Sequence, residues 1–427
     1  MFLSFSLTGC GGGSDGKKDD KSSNYRVSFY DSVLDFNGSV EVNKSNPTIN
    51  LSQVKDMLGI TTPLYRALSS IDVSSETSYA ITVNTNFYAA PDVIEITDHD
   101  GLNDIRDNLD GTYILLNDIP LDTGVDPNNG WDPIGNDSNP FTGIFSGNGN
   151  TISNLWINRT TTDNVGLFGI IENSQIKNIG VEIPNDKEMK GKDNVGGIAG
   201  WVRSSSIISN SYSIGSVSGT YSIGGIVGYI IGSSNITNSY STANVNGSQL
   251  VGGIAGSLYA SSIRNSYLIG TISGNSNYVG GIAGSLYSSS ITNSYSMGTI
   301  SGTGNYVGGI AGIVHGYSSI TNNAAINPSV TGTSNVNRVA GFVEDSTVEN
   351  NFALDSMVVS SYLSGNAGTD KNETDLKTQS TYSDTVSGDG NGGLGWSFDG
   401  DNDSNPWKID SDEVKNNGYP YLYWQDL

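Results

Sequence analysis

From residue 195 onward the chain repeats one pattern of apolar and polar positions. Val195-Gly-Gly-Ile-Ala-Gly200 returns as Ile223-Gly-Gly-Ile-Val-Gly228, Val251-Gly-Gly-Ile-Ala-Gly256, Val279-Gly-Gly-Ile-Ala-Gly284 and Val307-Gly-Gly-Ile-Ala-Gly312, so the closing glycines are 28 residues apart. Three apolar columns run through the repeats: Ile198/Ile226/Ile254/Ile282/Ile310, Ile208/Ile236/Ile263/Ile291/Ile320, and Val217/Val245/Ile272/Ile300/Val330. Each lies in a short β-prone run bounded by Gly, Ser and Asn. A fixed period of this size is one structural unit stacked on copies of itself. Three strands per unit, stacked in register, make each column a parallel sheet. The predicted fold is all-β: a right-handed parallel β-helix, a three-sheet solenoid of about 28 residues per coil. Helical arrays are excluded because the repeats lack helical periodicity, and a propeller blade needs a longer unit.

The punctuation residues have predicted roles. The glycine pairs stand where the chain must turn, and Gly permits positive φ and close approach of neighbouring coils. Asn210, Asn238, Asn265, Asn293 and Asn322 form a column whose amides can hydrogen-bond from coil to coil. Asn164-Val-Gly-Leu-Phe-Gly169 reads as a divergent first copy and Arg338-Val-Ala-Gly341 as a degenerate last one.

The flanks differ. Residues 25–91 read as a small β-rich module with short strands at Tyr25–Tyr30, Val40–Val42, Thr48–Leu51 and Ala80–Phe87, and a helical stretch near Leu51–Leu58. After a strand at Val93–Thr97, Leu102, Ile105 and Leu109 share one face of a short helix that Asp98 or Asp100 can cap. Such a helix would plug the open end of the array. The expected division is therefore 1–10 a truncated signal peptide with lipobox, 11–24 a flexible tether, 25–91 the module, 92–360 the repeat array, and 361–427 a C-terminal aromatic cap.

Composition narrows the partners. Only 15% of residues are charged, and 43 acidic against 20 basic groups leave a net charge of −23. That excludes nucleic acid and anionic bilayers as preferred surfaces. No run reaches the roughly 20 apolar residues of a membrane-spanning helix. The single cysteine, Cys10, lies in Leu7-Thr-Gly-Cys10, which resembles a bacterial lipobox, and the Gly/Ser-rich segment after it suits a tether. On that resemblance Cys10 is the lipidated residue, a lipid anchor is the only membrane contact, and Gly11 fits outer-membrane sorting. Only seven residues precede the motif's threonine, without Lys or Arg, which is short of an ordinary export signal. Either the true start lies upstream or this copy is not exported.

The Gly-Gly-Ile-Ala-Gly units, followed by Asn-Ser-Tyr and Gly-Thr-Ile-Ser-Gly, resemble the GLUG motif of bacterial surface proteins over roughly residues 93–360. The tail, with Leu394-Gly-Trp-Ser-Phe398, Trp407-Lys-Ile-Asp410 and Gly418-Tyr-Pro-Tyr-Leu-Tyr-Trp-Gln425, is similar to endings that follow such arrays. The resemblance implies an adhesin-like, cell-surface β-helical protein and supplies no catalytic residues.

Candidate chemistry is sparse. Between Asn194 and Asn337 there is no Asp, Glu or Lys, and the only charged residues are Arg203 and Arg264. Glycoside hydrolysis typically needs two carboxylates at a set separation, so no catalytic residue is expected on the regular coils, and the protein is expected not to be an enzyme. The alternative is a carbohydrate-active enzyme using Asp118, Asp122, Asp126, Asp132 and Asp137 on the early coils. His99 and His315 lack partners at metal spacing. Asp399, Asp401, Asp403 and Asp410 resemble the start and end of a Ca²⁺ loop, although Ser404 replaces the turn glycine. Ca²⁺ at these four residues is the one candidate cofactor. Tyr212, Tyr240, Tyr267 and Tyr295 recur after Asn-Ser, and Tyr259 and Tyr287 after Gly-Ser-Leu. Stacked outward rings would offer a platform for sugar rings or a protein. A Ser/Thr/Asn ladder flanks the third apolar column. The expected function is non-enzymatic adhesion or ligand display at the bacterial surface, to a glycan or protein partner, with a structural spacer as a further alternative.

Overall fold

The computed structural model describes residues 24–426 apart from positions 32–33, 59, 68–72, 74–75, 77–78, 81–82, 361–364, 384–392, 399–404, 411 and 413. Cys10, most of the tether, and Asp399, Asp401 and Asp403 lie outside the described residues. The chain forms two compact units. Of the described residues, one holds those up to 119, positions 143–151 and residue 426; the other holds those from 120–142 and 152–425.

In the first unit, strand Asn24–Tyr30 pairs antiparallel with Phe36–Asn43 and parallel with Thr85–Tyr88. Helix Leu51–Leu58 buries Leu51 and Val54 in a core shared with Val27, Phe29, Val40, Val42 and Phe87. Further along, strands Val93–Ile96, Thr112–Leu115 and Ile144–Ser146 pair in parallel. Between the first two lies helix His99–Asp104, where the Asp98 carboxylate accepts the Gly101 N–H at 3.0 Å. This is N-capping, and it turns Leu102 and Ile105 into the interior. Tyr30, Leu34 and Tyr88 pack with Val93 and Ile114. A common core therefore bridges the boundary expected at 91/92.

The second unit is the solenoid. Each regular coil carries five short strands, as in Asp193–Val195, Ala199–Arg203, Ile207–Ser209, Tyr212–Ile214 and Ser216–Ser218. Each strand pairs in parallel with its equivalent one coil later, which produces five ladders where three sheets were expected. The extra breaks fall at corner residues such as Asn210 and Gly215, both at positive φ, which cut the run from 207 to 218 into three. Two of the three apolar columns are strand ladders: Ile208–Ile236–Ile263–Ile291–Ile320 and Val217–Val245–Ile272–Ile300–Val330. The first column sits instead in the bend between two ladders. There Ile198 N–H donates to Ile226 O at 3.0 Å and Ile226 N–H to Ile254 O at 3.0 Å, so coil-to-coil bonding continues through the bend. The side chains of all three columns face the interior and are almost wholly buried.

The glycine pairs do not take positive φ; their reason is close approach. A Cβ on Gly281 would stand 2.0 Å from Gly309 O and 2.1 Å from Ser296 Oγ. Positive φ belongs to the asparagine column, at 48° for Asn210 and Asn238 and 50° for Asn265 and Asn293. Asn tolerates this region better than most residues. Its amides link coils as expected, with Asn265 Nδ2 donating to Asn238 Oδ1 at 3.0 Å. Buried serines add a second polar ladder that the sequence pattern did not single out. Ser239 N–H donates to Ser266 Oγ at 3.3 Å and Ser266 N–H to Ser294 Oγ at 3.1 Å, while Ser266 Oγ donates to Arg264 O. Buried backbone groups at this corner are thus satisfied from within the stack.

Candidate functional site

Register stacks Tyr212, Tyr240, Tyr267 and Tyr295 directly above one another. Adjacent rings are nearly parallel, with centroids 5.1, 4.9 and 4.8 Å apart. That is the strand spacing of a parallel ladder. The column is covered, however, and the correction to the sequence expectation is physical. Tyr267 and Tyr295 are almost completely buried because the C-terminal segment lies along them. Trp424 stacks on Tyr212 and Tyr240, Gln425 Oε1 accepts the Tyr267 hydroxyl at 2.9 Å, and Pro420 O accepts the Tyr295 hydroxyl at 2.7 Å. Trp407 packs against Tyr267 and Tyr295, and Trp396 Nε1 donates to Asn322 O at 2.7 Å. The segment runs back from later to earlier coils as a strap on the flank of the solenoid. Burial pushes the Tyr240, Tyr267 and Tyr295 phenols well above their ordinary pKa.

A second aromatic column is open. In the ladder that begins at Phe168–Glu172 and Ala199–Arg203, alternate residues point outward. Tyr259 and Tyr287 stack at 4.9 Å and are 43% and 40% exposed. Trp201 and Tyr229 stack at 6.0 Å on the same face, and His315 meets Tyr287 edge-on. Burial lowers the His315 pKa, with Glu344 opposing it.

The polar ladder beside the third apolar column forms a trough of about 280 Å³, lined by Glu188, Lys190, Ser218, Thr220, Asn246 and Asn275 among others. Lys190, Ser218 and Asn246 stand in one register. Lys190 Nζ donates to Glu188 Oε1 at 2.7 Å and Ser218 Oγ to Oε2 at 2.8 Å. Burial opposes ionisation of Glu188, but these two hydrogen bonds and the Lys190 charge outweigh it and hold its pKa below the ordinary value. Asn246 and Asn275 are exposed.

Each of the early aspartates is engaged with partners of its own. Asp118 accepts the Thr151 N–H, and Asp122 accepts the Asn154 amide. Asp126 closes a turn on Asn128 and Asn129. Asp132 pairs with Arg159 at 3.0 Å and Asp137 with Arg203 at 3.1 Å. Arg203, one of the two charged residues of the regular coils, also binds Glu172 and lies over Trp201. His99 Nδ1 is 3.1 Å from Asp100. Asp410 accepts three backbone N–H groups, from Asp412, Val414 and Lys415, at 2.8–3.1 Å. Among the described residues no group of three or more His, Cys, Asp or Glu is placed to hold a metal.

The GLUG motif matches residues 219–246 and 247–273, two consecutive coils. A provisionally named Gly-rich membrane protein of Evansella cellulosilytica is 41% identical over 93 residues, which cover 21% of this chain and 10% of that protein. Halomucin of Haloquadratum walsbyi is 35% identical over 134 residues, 29% of this chain and 1% of its own length. The chain thus spans a tenth or less of either relative. Among solved structures, a crystal structure provisionally assigned to an immunoglobulin A1 protease of Bacteroides ovatus superposes with a TM-score of 0.52 at 22% identity, covering 77% of this chain and 92% of that one. At that identity the likeness concerns the fold. The 28-residue coils and in-register ladders make the second unit a parallel β-solenoid, and two of its consecutive coils match the GLUG motif.

Proposed function

We propose that this chain is a bacterial surface protein that binds rather than catalyses, displaying the outer faces of its solenoid to a glycan or protein ligand. The observation that carries this reading is the chemistry of the regular coils. From Asn194 to Asn337 there is no Asp, Glu or Lys, and the outward positions are mostly Ser, Thr, Asn and Tyr. Such faces supply hydrogen bonds and aromatic contact but no carboxylate pair of the kind glycoside hydrolysis uses. The early aspartates, the other place for catalysis, are engaged in turns and ion pairs. The name of the E. cellulosilytica relative supports association with a membrane. In this proposal lipid-modified Cys10 is the anchor and residues 11–24 hold the solenoid away from the bilayer.

A glycan array and a cell-adhesion assay on the full chain test the proposal. Saturable binding is the expected result. Absence of binding on both would leave a spacer, and release of reducing sugar from polysaccharides, abolished by Asp132→Asn or Asp137→Asn, would replace binding with hydrolysis.

A further inference from the structure

We infer that the trough lined by Lys190, Ser218, Thr220, Asn246 and Asn275 binds a neutral saccharide chain lying along the solenoid axis. This rests on the surface-binding reading and names its site and ligand class. A saccharide in water is surrounded by partners that both donate and accept hydrogen bonds. A site that replaces that water must do the same, and Asn amides and Ser/Thr hydroxyls do. The trough offers these groups at successive coils: Lys190 stands in register with Ser218, and Ser218 with Asn246, with Asn275 on the coil beyond. The step between coils, about 4.8 Å, is close to the length of one pyranose unit in an extended chain. Successive sugars can therefore meet hydrogen-bonding groups on successive coils.

Charge selects the class. The one carboxylate among the trough's lining residues, Glu188, has both oxygens occupied, by Lys190 and by Ser218. The pair cancels locally, so the trough holds no net charge to attract an ionic polymer. The net charge of −23 further disfavours polyanions. A peptide adding as a β-strand is disfavoured as well, since the backbone of this ladder is already paired on both sides through its interior coils. Glu188 without a second lining carboxylate also fits binding without hydrolysis.

Isothermal titration of the full chain with cellohexaose, laminarihexaose, maltohexaose and chitohexaose, and with hexagalacturonate as the anionic probe, tests the inference. At least one neutral hexasaccharide is expected to bind saturably and hexagalacturonate to bind less tightly. The double variant Asn246→Ala/Asn275→Ala changes exposed side chains only. It should keep the wild-type melting temperature and lose affinity by ~tenfold. No binding of any neutral probe, equal binding by the variant, or tighter binding of hexagalacturonate would overturn it. The same two proteins in the cell-adhesion assay separate the levels. Equal adhesion by both overturns the trough and keeps the surface-binding reading, whereas no adhesion by the wild type removes that reading too.

Discussion

Trp424 lies against Tyr240 with ring centroids 5.5 Å apart, and its indole N–H donates to the carbonyl of Asn238 at 2.9 Å. One residue of the C-terminal strap thus meets both a ring of the tyrosine column and the backbone of the asparagine corner. Trp424→Ala removes a hydrogen bond and a stacked contact together. It is expected to lower the unfolding free energy by about 1–3 kcal/mol. Urea titration of the wild type and variant checks this; unchanged stability would mean that the strap does not contribute through this contact.

Close approach at the glycine corner predicts a large effect from one methyl group. In Gly281→Ala the new Cβ would overlap the Gly309 carbonyl, a backbone atom that cannot swing aside. Overpacking of this kind costs about 1–3 kcal/mol, sometimes more. Gly101→Ala is the control: its nearest neighbour would be 3.5 Å away, and the site is helical. There the change is expected to be neutral or to stabilise by up to about 1 kcal/mol. Melting temperatures of the two variants should move in clearly different ways.

The covered tyrosines predict alkaline lability. Tyr267 and Tyr295 have folded-state pKa values raised by burial above the unfolded value of about 10. A group with a raised folded pKa contributes stability that is fully present below the unfolded pKa and lost as pH rises beyond it. Stability should therefore be insensitive to these phenols below about pH 10 and fall above it. Phenolate absorbance followed beside circular dichroism checks this. The buried fraction should ionise together with loss of the β signal, and ionisation at about pH 10 with the fold intact would contradict it.

Asp410 predicts indifference to calcium. Hydrogen bonds from the Lys415, Asp412 and Val414 amides hold its carboxylate below the ordinary pKa. Its contribution is accordingly present above the unfolded value of about 3.9 and lost as pH falls below it. A carboxylate committed to a turn is a poor cation ligand without rearrangement. Melting temperature should be the same in calcium and in chelator, and a rise with calcium that Asp410→Asn abolishes would contradict this.

Much of the fold was legible because stacked coils repeat the same residue at the same place. The three apolar columns, the asparagine column and the capped helix after Asp98 follow from local chemistry and a strict period, whereas the strand expected at Ala80–Phe87 is instead two, Tyr79–Ala80 and Thr85–Tyr88. The division of each coil into five strands was not legible. It depends on which corner residues adopt positive φ, and Tyr278 and Tyr306 do so as well as Asn and Ser. The buried serine ladder was hidden for a related reason: Ser is equally common on open faces, and only burial separates Ser266 from Ser262.

The sequence by itself determined a 28-residue solenoid whose regular coils are nearly bare of charge, because period and composition are properties of the chain alone. Tertiary structure decided which faces are available. Tyr267 follows Asn-Ser and Tyr287 follows Gly-Ser-Leu, both in short polar and apolar runs that suit an outward ring, yet one is sealed and the other open. The difference comes from Pro420 and Gln425, more than a hundred residues away along the chain, whose strap covers one ladder and leaves the other to solvent. No local pattern encodes that choice, since it is made by contacts between segments that meet only when the solenoid is complete.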